Sequence, residues 1–158
     1  MWTSRFFLYV LLLMASAGGQ RAAAADFAVI ASRDVQVSNL SLADLRKLFL
    51  GDRQFWNSNL RVSLLVRAPV ARERAVVVWT ICKMSEAQFS QHWIGKVMRA
   101  DCTVAPTLFS SNQNALELVA STAGAVAIVN ASQVPAGVKV LSVDGKLPHQ
   151  PGYKLQLE

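Results

Sequence analysis

The residue that most invites a chemical reading is Arg67. It stands directly after an apolar strand-like run, Arg61 to Val66, and just before a proline at position 69 that suits the first turn of a helix. A second helix start lies upstream at Ser41, with Asp44 three residues on in the capping-box position. A helix N-terminus carries unpaired N–H groups and about half a positive charge. Two such termini and a guanidinium at the ends of neighbouring strands make a place for a small anion, at the location where α/β proteins put ligands. That chemistry is binding. The competing use of Arg67 is a surface ion pair with Glu73 or Asp101, and Arg74 is otherwise a solvated helix residue.

Catalytic signatures are missing. The chain has no Gly-x-Ser-x-Gly, His-Glu-x-x-His or Gly-x-x-x-x-Gly-Lys pattern. Its two histidines, His92 and His149, lie apart, one beside Trp93 on a helical stretch and one in a proline-flanked tail. No Cys-x-x-Cys or histidine spacing suggests a metal. The reading is therefore of a non-enzyme with no cofactor.

The first 25 residues read as a secretory signal peptide. Arg5 gives the charged start, Phe6 to Ala15 the apolar run, and Ala23-Ala24-Ala25 the small-residue cleavage site, with cleavage expected before Asp26. The apolar run is too short to span a bilayer. The expected product is soluble and periplasmic, without stable membrane insertion. Removing 25 of 158 residues leaves 133, one domain at residues 26–158. The whole chain carries a net charge of +6, and losing Arg5 and Arg21 leaves +4. This mild excess suits a small anionic ligand. Scattered basic residues without aromatic interleaving argue against nucleic acid.

Two cysteines remain, Cys82 and Cys102. In an oxidising compartment they are a candidate disulfide; the alternative is two buried free thiols. The bond requires the intervening helix to break near Gly95, because a straight helix holds the two far beyond disulfide reach.

The elements that must position these groups follow from patterning. Phe27–Ala31 is a short apolar run that reads as a buried parallel strand. Leu42, Leu45, Leu48 and Phe49 recur at helical spacing, ended by Gly51. Residues 71–83 carry strand-like composition, yet Ala75, Val78, Trp79 and Cys82 repeat as a helix does. Ser85 with Gln88 forms a second capping box, and Ser111 caps a fourth helix. Ala125–Val129 and Val138–Val143 are strands, and residues 153–157 add an edge. Strands alternating with helices predict an α/β fold with a largely parallel sheet.

The run Asn39-Leu40-Ser41-Leu42-Ala43-Asp44-Leu45-Arg46-Lys47-Leu48-Phe49-Leu50-Gly51 resembles a helix of the phosphate-binding proteins of ABC transporters. It is nearer still to a set of short exported proteins like them. Trp56 after the Phe-x-Gly, Arg67 after the next strand, Arg74 in the following helix and the Thr122–Val129 strand keep the same order. The resemblance spans most of residues 27–142. It implies a type 2 periplasmic-binding-protein-like fold, reduced to one lobe or to one lobe with a small helical second part from residues 75–105. It implies a phosphate-like oxyanion as ligand, an ABC transporter permease or other envelope protein as partner, and no catalysis. Carried over residue by residue, the ligand contacts would be Ser32, Arg67, Arg74 and Ser111. Two departures stand out. Ala71 replaces a serine where the second helix begins, and Ala127-Ile128 replaces a Gly-Tyr. Ala71 favours the alternative of an interaction or sensor-adaptor module with a degenerate pocket.

Overall fold

The structure is a computed structural model and describes residues 24–157. The signal-peptide expectation falls almost wholly outside those residues. The first strand, β1 (Ala25–Ala31), is buried on both faces, as its unbroken apolar run requires. Alternate side chains divide between two cores. Phe27, Val29 and Ala31 face one side, and Ala28 and Ile30 the other. Around it lie β2 (Asn39–Leu40), α1 (Leu42–Phe49), the hairpin β3 (Phe55–Asn57) and β4 (Leu60–Arg61), and β5 (Ser63–Arg67). Next come α2 (Arg72–Ala75), α3 (Glu86–Met98), β6 (Thr107–Phe109), α4 (Asn112–Ser121), β7 (Ala125–Asn130), β8 (Lys139–Val143) and β9 (Gln156–Leu157).

The main sheet runs β2-β8-β1-β7-β5-β6, with β9 on β1. Strand β5 is parallel to both β6 and β7, and β2 is parallel to β8. The expectation of a parallel β1 is overturned: β1 is antiparallel to both β7 and β8. A two-sided apolar run reports burial, not direction, so the sequence pattern carried no signal for this. The fold is α/β, with a mostly parallel sheet between two helical layers. One layer is α1, α2 and α3; the other is α4.

Locally encoded elements form as the sequence dictates. Ser41 Oγ accepts from the Asp44 N–H at 3.0 Å. Gly51, at φ 70°, closes α1, with Gly51 and Asp52 N–H groups donating to Leu48 and Lys47 carbonyls. The Ser85–Gln88 capping box is complete, at 3.2 and 2.8 Å. The ambiguous stretch 71–83 is helical: α2 passes into a six-residue π-helical segment, Val76–Ile81. Residues 75–105 carry the helical part, the π-helical segment and α3, which packs onto the one lobe. Val76, Val77, Val78, Ile81, Phe89 and Trp93 share one core with the sheet.

Cys82 and Cys102 are both free. Helix α3 runs unbroken through Gly95, so the fold-back on which a disulfide depends does not occur. Burial pushes the Cys82 thiol up to about 12, despite the opposing pull of Arg46. Cys102 is half-buried. Iodoacetamide is therefore expected to label Cys102 under native conditions and Cys82 only after unfolding. Intact mass should be the same with and without reductant. A two-proton mass gain on reduction would contradict the unpaired state.

Candidate functional site

Strands β2, β5, β6, β7 and β8 all point the same way, so their C-terminal ends share one edge of the molecule. Arg67 ends β5 there, opposite Phe109 at the end of β6. The Arg67 guanidinium lies over the Phe109 ring, 5.8 Å from its centroid. Its Nε is 3.8 Å from a carboxylate oxygen of Glu73, which sits in the first turn of α2. That distance is an ion pair but not a hydrogen bond. Arg67 Nε and Nη1 are buried and have no hydrogen-bond partner among the described residues. Glu73 is itself buried and accepts from Asn112 Nδ2 at 3.0 Å, while Asn112 Oδ1 is buried with no donor among the described residues. Asn112 Nδ2 also reaches Gln133 Oε1.

The loop into this edge is strained. Val70 has φ 77°, a conformation that β-branched residues avoid, yet its side chain is fully exposed. No packing of that side chain offsets the strain. Such backbone outliers gather at ligand clamps and switches.

The four residues carried over by resemblance do not all meet. Arg67, Arg74 and Ser111 lie at the same edge. Arg74 is neither solvated nor free: it is buried, pairs with Glu86 through both carboxylate oxygens, and donates Nη1–H to the Arg67 carbonyl at 3.2 Å. Its charge is spent on joining α2 to α3. Ser111 Oγ caps α4 by accepting from Asn114 N–H at 3.0 Å. Ser32 is misplaced. It follows the antiparallel β1 and its N–H donates to the Ala125 carbonyl at the start of β7. That is the opposite end of the sheet, about 13 Å along β5 from Arg67. Ser41 shares the Arg67 edge but lies four strand spacings away, about 19 Å. The amide of Leu42 there is already taken by Asp144 Oδ1 at 3.1 Å.

Patterning alone missed Asn112 and Phe109. A useful signal was the Asn immediately after the Ser111 cap, a position whose side chain projects from the helix start. Glu73 was visible as a rival partner for Arg67, and that pairing is present. Asp101 pairs instead with Arg99, at 2.8 Å.

At the Ser32 end, Asp34 organises the turn. Its carboxylate accepts from the Ser32 hydroxyl and from the Gly124 N–H at 3.2 Å. The Ser32 hydroxyl first, and the Gly124 amide with lesser backbone bonds, hold its carboxyl below the usual range. A depressed folded pKa means stability that is full above the unfolded value of about 3.9 and is lost as pH falls through the folded one. Urea midpoints from about pH 5 to about pH 3 should therefore fall less steeply in Asp34→Asn than in the wild type. Parallel curves would show that Asp34 does not hold the turn in solution.

No protein-family model matches the chain, and no curated protein matches it. Solved structures do. A phosphate ABC transporter substrate-binding protein with bound phosphate from Clostridium perfringens superposes with a TM-score of 0.61 at 17% identity, over 77% of this chain and 46% of that one. An ABC-type phosphate transport receptor from Vibrio cholerae gives 0.66 at 15% identity, over 84% and 54%. PstS from Borrelia burgdorferi gives 0.66 at 15%, over 84% and 55%. The chain has the fold seen in these phosphate-binding proteins, and it spans about half the length of each. Among the described residues no helix is long and apolar enough to cross a membrane.

Proposed function

We propose that the chain is an exported, periplasmic, non-catalytic binding module for a small phosphate-like oxyanion, working with an ABC transporter permease or another envelope protein. The observation that carries this reading is the Arg67 guanidinium, with two buried N–H-bearing atoms that no acceptor among the described residues reaches. A buried charged donor that is ion-paired but left without a hydrogen bond is costly, and an oxyanion is the ligand class whose oxygens would answer it. Glu73 and the free Asn112 Oδ1 add acceptors beside it. A hydrogen phosphate can donate its proton to such an acceptor; a fully ionised sulfate cannot. Phosphate should therefore bind more tightly than sulfate.

Titration calorimetry and thermal unfolding with phosphate, sulfate, molybdate and a phosphonate test the reading. A ligand at about 100 times its Kd stabilises by about 2.7 kcal/mol. Arg67→Ala should abolish that stabilisation.

A second reading keeps the fold and replaces the ligand with a protein partner. It is favoured by Ala71, which begins α2 without any side-chain cap, and by Glu73, whose carboxylate already faces the guanidinium. No response to any oxyanion at millimolar concentration would select it.

A further inference from the structure

The main sheet ends at β6, and among the described residues no strand lies beyond it. In a parallel pair, alternate residues turn their N–H and C=O groups to the neighbouring strand. Thr107 and Phe109 face β5 in this way, and the Phe109 carbonyl accepts from the Ala68 N–H at 3.0 Å. Leu108, between them, therefore turns its own N–H and C=O to the open edge. Its side chain lies on the sheet face opposite Phe109, the side covered by α1, α2 and α3, and is exposed.

Sheet edges are ordinarily protected by charged side chains or by a proline within the strand. This edge has neither. Residues 102–116 contain no charged side chain, and Pro106 stops short of β6. Apolar surface flanks the strand instead. One side of α3 is fastened to the end of α1, His92 Nε2 to the Leu50 carbonyl at 2.8 Å and Lys96 Nζ to Asp52 at 2.6 Å. Helix α1 packs beside β2, at the far end of the sheet. The other side of α3, with Ile94 and Val97, is thus turned towards β6, and Met98 follows on its outer face. Ile94, Val97, Met98, Val104 and Leu108 are each at least 50% exposed. Five of the nine large apolar side chains exposed among the described residues therefore fall within residues 94–108, a concentration that marks an interaction surface rather than scatter.

Charge selects the partner. The chain carries a net charge of +6, or +4 without its leader, so two copies repel wherever their basic surfaces meet. The repulsion is least across a charge-free edge, whereas a strongly acidic partner gains nothing there. The outward donor and acceptor also belong to one residue. A two-fold axis at Leu108 gives each N–H the same carbonyl of the other copy, the reciprocal pair of an antiparallel ladder. We propose that β6 pairs antiparallel with β6 of a second copy of this chain about a two-fold axis at Leu108, with Ile94, Val97, Met98 and Val104 packed around the pair. The two sheets then run on as one. The contact is small, so it forms a weak dimer, in the micromolar range. It is independent of any anion at Arg67.

Sedimentation velocity of the whole protein from about 1 to about 300 µM tests this. The average mass should rise towards twice that of the monomer. Leu108→Lys sets like charges face to face at the axis and should weaken association at least about tenfold, and Leu108→Glu should do the same. Mixed in equal amounts, the two variants should associate again as a dimer holding one of each, because only a two-fold axis here places residue 108 against itself. Val97→Asp, on the helix beside the strand, should also weaken the dimer. Leu147→Lys, an exposed apolar position beyond β8, should not. Urea midpoints of the variants at about 1 µM should match the wild type, which separates lost association from lost folding. A monomer at every concentration overturns the proposal and leaves the edge to a strand of a different protein. It is equally overturned if Leu108→Lys and Leu108→Glu each dimerise as the wild type does, or if their mixture stays monomeric.

Discussion

Gly124→Ala is expected to destabilise the protein by about 4 kcal/mol, read from the urea midpoint at constant m-value. The residue sits at φ 67°, where an alanine costs about 1–2 kcal/mol. A Cβ there would fall 2.0 Å from the Arg61 carbonyl oxygen, a backbone atom that cannot rotate aside. Relieving the overlap means moving the β3–β4 hairpin, and displacements of that kind cost about 1–3 kcal/mol. The hairpin is not free to move. Trp56 Nε1–H donates to the Gly124 carbonyl at 2.8 Å, and the Ser63 N–H donates to the same oxygen at 3.0 Å. The Gly124 N–H is held by Asp34. One glycine thus joins the loop after β1, the hairpin, β5 and β7. A cost below about 1.5 kcal/mol would mean the hairpin relaxes freely and the junction is not rigid.

That junction also marks the boundary of what the sequence discloses. The caps at Ser41, Ser85 and Ser111 were legible because each is decided within four residues. So was the close of α1 at Gly51, where a positive φ and two carbonyl acceptors are local demands. The helical nature of residues 71–83 was legible from spacing, but its π-helical form depends on how Val76, Val77 and Val78 crowd against the sheet. The direction of β1 was not legible at all. Phe27–Ala31 looks the same to its neighbours run either way, and only long-range pairing with β7 and β8 decides it. The misplacement of Ser32 follows from that single error. A parallel β1 would have brought Ser32 to the Arg67 edge. Arg74 fails differently: its position is right, but Glu86, twelve residues on, claims its charge. Partner choice among charged side chains is a tertiary property. The same holds for Cys82 and Cys102, whose separation is set by the continuity of α3.

The geometry at Arg67 leads to a test of whether Glu73 competes with an anion or helps to hold one. Glu73→Gln removes a negative charge whose oxygen lies 3.8 Å from Arg67 Nε while keeping an amide oxygen able to accept. Two opposing effects follow. The carboxylate repels any incoming anion, a penalty that the neutral amide does not impose. The carboxylate is also the better acceptor for a hydrogen-phosphate proton. Sulfate feels only the first effect, so its affinity should rise by about 10- to 100-fold, or 1.4–2.8 kcal/mol. Phosphate gains less, and the preference for phosphate over sulfate should shrink or vanish. Stability without ligand should fall by about 1–3 kcal/mol, because Arg67 loses its nearest countercharge. Added sulfate should restore it, and calorimetry beside urea unfolding at fixed sulfate measures both halves. If the variant loses stability but no oxyanion recovers it, Glu73 is the guanidinium's permanent partner. The Arg67 edge would then be a structural ion pair rather than a ligand seat. The asymmetry between the two anions makes the result specific, since a general weakening of the fold would treat them alike.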